Sequence, residues 1–139
     1  MKKIMKKAIA TMMTFAAIGC MSCINAFAAT NTTVIVSTDQ EWTDLDPVSR
    51  TGRFSYVAMR VFGVYPTNGG VDNFRYIQGT VKNESGTQIC SVVVLDERSS
   101  EASYPSIIEG HLGSSEVTFR FRGNSPNYGA RANVFYNAM

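Results

Sequence analysis

Three groups of residues in this 139-residue chain could do chemistry. The first is acidic: Asp39, Glu41, Asp44 and Asp46 fall within eight positions. Calcium-like cations need several oxygen ligands at close quarters, so these four are the metal-ligand candidates. Their spacing departs from the EF-hand loop, and no glycine supplies its sharp turn. A solvated acidic loop is the expectation, with no metal and no cofactor. Trp42 lies inside the same loop. An exposed indole can stack on a sugar or anchor a partner. Burial at one end of a core is the favoured alternative, because large aromatic side chains gain most from leaving water.

The second group is basic. Arg120 and Arg122 alternate with Phe119 and Phe121, and Arg131 follows closely. Antiparallel pairing of residues 115–122 with 130–136 would set inward Val117, Phe119 and Phe121 against Tyr136, Val134 and Ala132. Arg122 would then stand opposite Arg131, and Arg120 opposite Asn133. Like charges so placed repel unless something anionic lies between them. Glu116 is one such group; an external carboxylate, phosphate or anionic polymer is another, since the planar guanidinium fork donates two bonds at once. Arg120, Arg122, Arg131 and Trp42 are therefore the ligand-binding candidates, with a solvated, screened face as the alternative.

The third group is a possible thiol–imidazole pair, Cys90 and His111. Cys90 falls in the most apolar stretch, where cysteine behaves as a small core residue. His111 alone cannot build a zinc site. No nucleophile elbow, phosphate-cradling glycine loop or nucleotide fingerprint is present in the sequence. No catalytic residue is assigned, and the expectation is a non-enzyme.

The segment before these groups reads as an export signal. Lys2, Lys3, Lys6 and Lys7 precede an apolar or small run from Ala8 to Ile24, and Ala26-Phe27-Ala28 offers a cleavage site. Residues 1–28 are thus expected to be a signal peptide and 29–139 a single domain, secreted, with no transmembrane span after cleavage. Lipid anchoring at Cys20 is the alternative. Four of the 13 Lys and Arg belong to the signal, leaving nine against 11 Asp and Glu, a net charge of about −2 beyond it. That balance argues against nucleic-acid binding, which needs a clustered positive field. Cys90 is the one cysteine beyond the signal, so no internal disulfide forms there. A disulfide-free exported domain of this kind points to a bacterium.

The elements that must position these residues are short strands. Runs rich in Val, Phe and Tyr alternate with turn residues, and no stretch holds helical periodicity. Strands are expected over residues 32–38, 54–65, 74–82, 88–95, 115–122 and 130–136, with an edge strand at 104–109. Within 54–65, alternation assigns Phe54, Tyr56, Ala58, Phe62 and Val64 to one face and Val57, Met59 and Val61 to the other. Val92-Val93-Val94-Leu95 suggests burial on both faces. Asn83-Glu84-Ser85-Gly86 has hairpin composition. The fold class is all-β: an antiparallel β-sandwich of six to seven strands, or a small β-barrel.

Residues 117–124 (Val-Thr-Phe-Arg-Phe-Arg-Gly-Asn), the Ser55-Tyr56-Val57 strand and the aromatic C-terminus resemble small secreted β-rich proteins of Gram-positive bacteria, some of them bacteriocin-like. The resemblance implies no activity and transfers no site residue. Two functions follow as expectations. One is a non-catalytic secreted domain binding an extracellular or cell-surface partner. The other is a bacteriocin-like antimicrobial or toxin acting on a cell envelope; its membrane-active form would need exposed apolar hairpins or a basic amphipathic face.

Overall fold

Inward and outward residues alternate along almost every strand of this chain, and that alternation assigns each strand to one of two layers. The computed structural model describes residues 29–67, 75–126 and 129–139. The expected export signal, Cys20 and the expected strand residue Phe74 lie outside them.

Eight strands follow in chain order: β1 (Thr30–Val36), β2 (Thr43–Asp44), β3 (Val48–Ser49), β4 (Ala58–Pro66), β5 (Tyr76–Asn83), β6 (Val93–Asp96), β7 (Glu116–Gly123) and β8 (Ala130–Asn137). They form two antiparallel sheets. The smaller runs β1-β8-β4; the larger runs β2-β7-β5-β6, with β3 also paired to β7. The chain is a β-sandwich, not a closed barrel. Among the described residues no helix is long and apolar enough to cross a membrane.

The core lies between the sheets. Val34 and Val36 of β1, Met59 and Val61 of β4, and Ala132, Val134 and Tyr136 of β8 supply one side. Ile77 and Val81 of β5, Leu95 of β6, and Val117, Phe119 and Phe121 of β7 supply the other. The Phe119 and Tyr136 rings meet across the layers at 4.8 Å. Each large side chain so buried contributes roughly 1.5–3 kcal/mol relative to exposure.

Pairing differs from expectation at the arginine strands. β7 pairs with β5 and with β2 and β3, whereas β8 pairs with β1 and β4. The link from Gly123 to Ala130 carries the chain from one sheet to the other. Phe119 and Tyr136 do share the core, but they face each other between layers rather than across a ladder. Arg122 is therefore not opposite Arg131, and Arg120 is not opposite Asn133.

Three further strands differ in detail. The 54–65 stretch becomes regular only at Ala58, and its ladder with β8 slips between Val61 and Gly63. That bulge turns Val64 to the core beside Met59 and Val61, against the alternation expected for it. The 88–95 stretch touches β5 at Gln88 and pairs regularly only from Val93. Val92 and Val94 are exposed, so only one face of that run is buried. Residues 103–107 form isolated bridges rather than an edge strand: Ser103 pairs with Met59, Ser106 with Tyr56 and Ile107 with Cys90. Pro105, lacking an N–H, accepts from Val57 N at 3.2 Å.

Two short strands, β2 and β3, break up the acidic stretch. The hairpin at Asn83 forms as composition implied. Gly86 takes φ +83°, and Asn83 Oδ1 accepts from Ser85 N and Thr87 N.

Candidate functional site

Alternation places residues 116, 118, 120 and 122 of β7 on the outer face of the larger sheet, away from Phe119 and Phe121. The register then sets their neighbours: Asp44 of β2 lies opposite Arg120, and Gln78 of β5 lies opposite Arg122. Trp42, two residues before Asp44, comes to the same face.

That loop is tied down at several points. Gln40 adopts φ 60° and its side chain donates to Gly123 O at 3.1 Å. Thr43 Oγ1 donates to Ile35 O at 2.7 Å, linking the loop to the first strand of the other sheet. Leu45 N donates to Phe119 O at 2.9 Å.

Two guanidinium groups stack on the half-buried Trp42. The Arg122 carbon lies 4.5 Å from the ring centroid and the Arg120 carbon 5.3 Å. Such contacts contribute about 0.5–1 kcal/mol at exposed sites. Arg120 Nε donates to Asp44 Oδ1 at 2.8 Å, and Lys82 Nζ bonds Asp44 Oδ2. Arg122 Nε donates to Gln78 Oε1 at 2.7 Å, and Gln78 Nε2 donates to Asn124 Oδ1 at 3.0 Å. Partial burial raises the Asp44 carboxyl, but hydrogen bonds and charge from Lys82 and Arg120 outweigh it and hold the group below its ordinary value.

Two cations, Arg120 and Lys82, thus share one carboxylate, and with Arg122 beside them the cluster carries a net charge of about +2 on a face of an otherwise acidic domain. Asp44, rather than Glu116, is the carboxylate that meets Arg120, and Gln78 rather than an acid meets Arg122. Trp42 does not close an end of the core; it supports the arginines from outside. Arg131 belongs elsewhere. It lies on the outer face of the smaller sheet between Ile35 and Tyr65, 5.6 Å from the Tyr65 ring.

The acids of the loop do not converge. Asp44 is engaged by two cations, while Asp39 accepts from Ser37 Oγ, a bond that lowers its pKa. Among the described residues no three His, Cys, Asp or Glu side chains gather as a metal would require. Cys90 is buried, with Sγ 3.5 Å from Thr80 Oγ1. Burial pushes its thiol pKa up, against smaller opposing hydrogen bonds from Thr80 and the Val81 backbone. His111 sits in a 3-10 turn at Glu109–His111. Among the described residues it makes no hydrogen bond to Cys90.

A second feature, on the opposite face, carries no motif in the sequence. β4 and β8 bring Arg60, Phe62 and Phe135 to the outer side of the smaller sheet. With Ser100, Glu101, Ala102 and Tyr104 they line a hollow of about 460 Å³. The available signal was the Phe62-Gly63 pair, because glycine inside a strand often marks a bulge. Comparison with protein-family models, curated proteins and solved structures returns no match for this chain.

Proposed function

We propose that this chain is an exported, non-catalytic binding domain that engages an anionic cell-surface polymer through Trp42, Arg120 and Arg122. One observation carries the reading: two guanidinium groups are stacked on a single indole, and the one carboxylate beside them, Asp44, pairs with Arg120 and Lys82 and leaves Arg122 without an acidic partner among the described residues. Stacking and the Nε bonds hold both guanidinium groups in place. Among the described residues, Arg120 and Arg122 donate only through Nε. Fixed guanidinium forks match carboxylate and phosphate geometry and lose little freedom on binding.

Export is supported by the ordered Lys-rich, apolar and Ala-Phe-Ala segments of residues 1–28. The acidic net charge of the remainder favours a local, geometry-dependent contact over nonspecific attraction to nucleic acid.

The test uses poly-glutamate and poly(glycerol phosphate) as probes, followed by calorimetry at two salt concentrations. Binding should weaken as salt rises. Replacement of both arginines (Arg120→Gln with Arg122→Gln) should abolish it, and Trp42→Ala should weaken it about tenfold, the loss of one anchoring side chain. If neither polymer binds, or the double replacement binds as tightly as the parent, the reading is wrong.

A further inference from the structure

We propose that the outer face of the smaller sheet is a second, independent binding site, a groove for an unbranched neutral saccharide chain. Its centre is Phe62. In the β4–β8 ladder, Val61 pairs with Val134 and Gly63 with Asn133, so Phe62 is the extra residue of a bulge. Bulges re-aim side chains and cluster beside functional sites. Here the result is a phenyl ring standing 47% exposed on an otherwise regular face. Gly63 follows it on that face with no side chain, and a Cβ there would stand 2.8 Å from the Tyr65 hydroxyl. The bulge thus raises one ring, and the Tyr65 ring packs over the glycine beside it.

Hollows lie on both sides of the ring. One, about 460 Å³, is lined by Arg60, Glu101, Tyr104 and Phe135 among others; the second, about 310 Å³, by Asn31, Thr33 and Asn133 among others. Phe62 lines both. Each volume falls in the range of small-ligand sites, roughly 300–1,000 Å³. Two adjoining hollows divided by a ring suit a chain of repeating units better than one compact molecule.

The lining selects the chemistry. A sugar ring has an apolar C–H face and a rim of hydroxyls that need both donors and acceptors. Tyr104, 58% exposed, is braced edge-on against Tyr56 at 5.7 Å. With Phe62 and Phe135 it provides apolar surface. Arg60 lies 4.7 Å from the Phe62 ring centroid and donates through Nε to Ser99 O at 3.0 Å. Its remaining N–H groups supply donors, and Glu101 supplies an acceptor. Loop 99–101 is pre-shaped by reciprocal bonds: Ser99 Oγ donates to Glu101 O and accepts from Glu101 N. In the second hollow, Thr33 Oγ1 donates to Asn133 Oδ1 at 3.0 Å, leaving the Asn133 amide hydrogens as donors. Arg60 and Glu101 balance each other in charge, which favours a neutral occupant over the anionic one proposed for the opposite face.

The test titrates the purified protein with cellotetraose, maltotetraose and tetra-N-acetylchitotetraose, read by calorimetry and by tyrosine fluorescence. At least one should bind. Phe62→Ala should weaken binding about tenfold or more, the loss expected for a stacked ring. Glu101→Gln, at an exposed position with no burden on folding, should also weaken it. The Arg120→Gln/Arg122→Gln protein should bind the sugar normally, which separates this site from the anionic one. Absence of binding by all three sugars would overturn the proposal, as would unchanged affinity in both groove variants. A parent protein that dimerises, with Phe62→Ala restoring the monomer, would instead assign the face to self-association.

Discussion

Asp44 shows how one side chain can both tie strands together and set the charge of a surface. Its carboxylate joins β2 to β7 through Arg120 and to β5 through Lys82, so it holds three strands and also sets the charge of the arginine face. Its pKa is depressed in the folded chain. A depressed carboxylate stabilises the fold fully above its unfolded pKa, near 4. That contribution is lost as pH falls through the folded value. Urea midpoints measured from neutral pH down to about pH 2 should therefore fall more steeply in the parent than in Asp44→Asn over the acid limb. Equal slopes would remove Asp44 from the acid response. The arginines and Trp42 were legible as reactive types in the sequence. Their company was not, because the choice of β-partner depends on long-range packing, whereas alternation reports only which residues share a face.

At the scale of elements, the sheets approach each other closely where Gly79 of β5 faces the core. A Cβ at Gly79 would stand 2.6 Å from Met59 Sδ and 3.1 Å from the Phe121 ring. Met59 can move, since its side chain is flexible, but Phe121 is fully buried. Gly79→Ala should cost about 1–3 kcal/mol through overpacking, measured by chemical denaturation. An unchanged midpoint would mean that the layers separate easily at that point. The strand pattern itself was largely readable: β1, β5, β7 and β8 lie within a few residues of their expected bounds. Three irregularities were not. The Phe62 bulge reverses the face of Val64, Val92 and Val94 are exposed by the break after Cys90, and β2 and β3 pair with β7 inside what reads as a loop. Each arises from a tertiary contact with no local propensity behind it.

For the molecule as a whole, the two outer faces have opposite characters. One carries the excess positive charge around Trp42; the other carries Phe62, Phe135 and Tyr104 around a hollow whose two charged residues, Arg60 and Glu101, are of opposite sign. They belong to different sheets with the core between them, so substitutions on the two should act independently. Combining Phe62→Ala with Arg122→Gln should shift the unfolding midpoint by the sum of the single effects, and a large departure from that sum would reveal coupling through the core. The free edges are treated differently. The first half of β4 is covered by Ser103, which exchanges two backbone bonds with Met59, and Val64 N is met by Glu97 Oε2 at 2.8 Å. Such covering prevents strand-to-strand aggregation.

Thr80 and Cys90 have a practical consequence. Thr80 Oγ1 donates to Cys90 O at 3.0 Å, and both residues are sealed from solvent beside the central strand. A maleimide dye offered to the native protein should therefore wait for the strands to part before it can react. Its labelling rate becomes a clock for opening of the sandwich, wound by the very threonine that covers the sulfur.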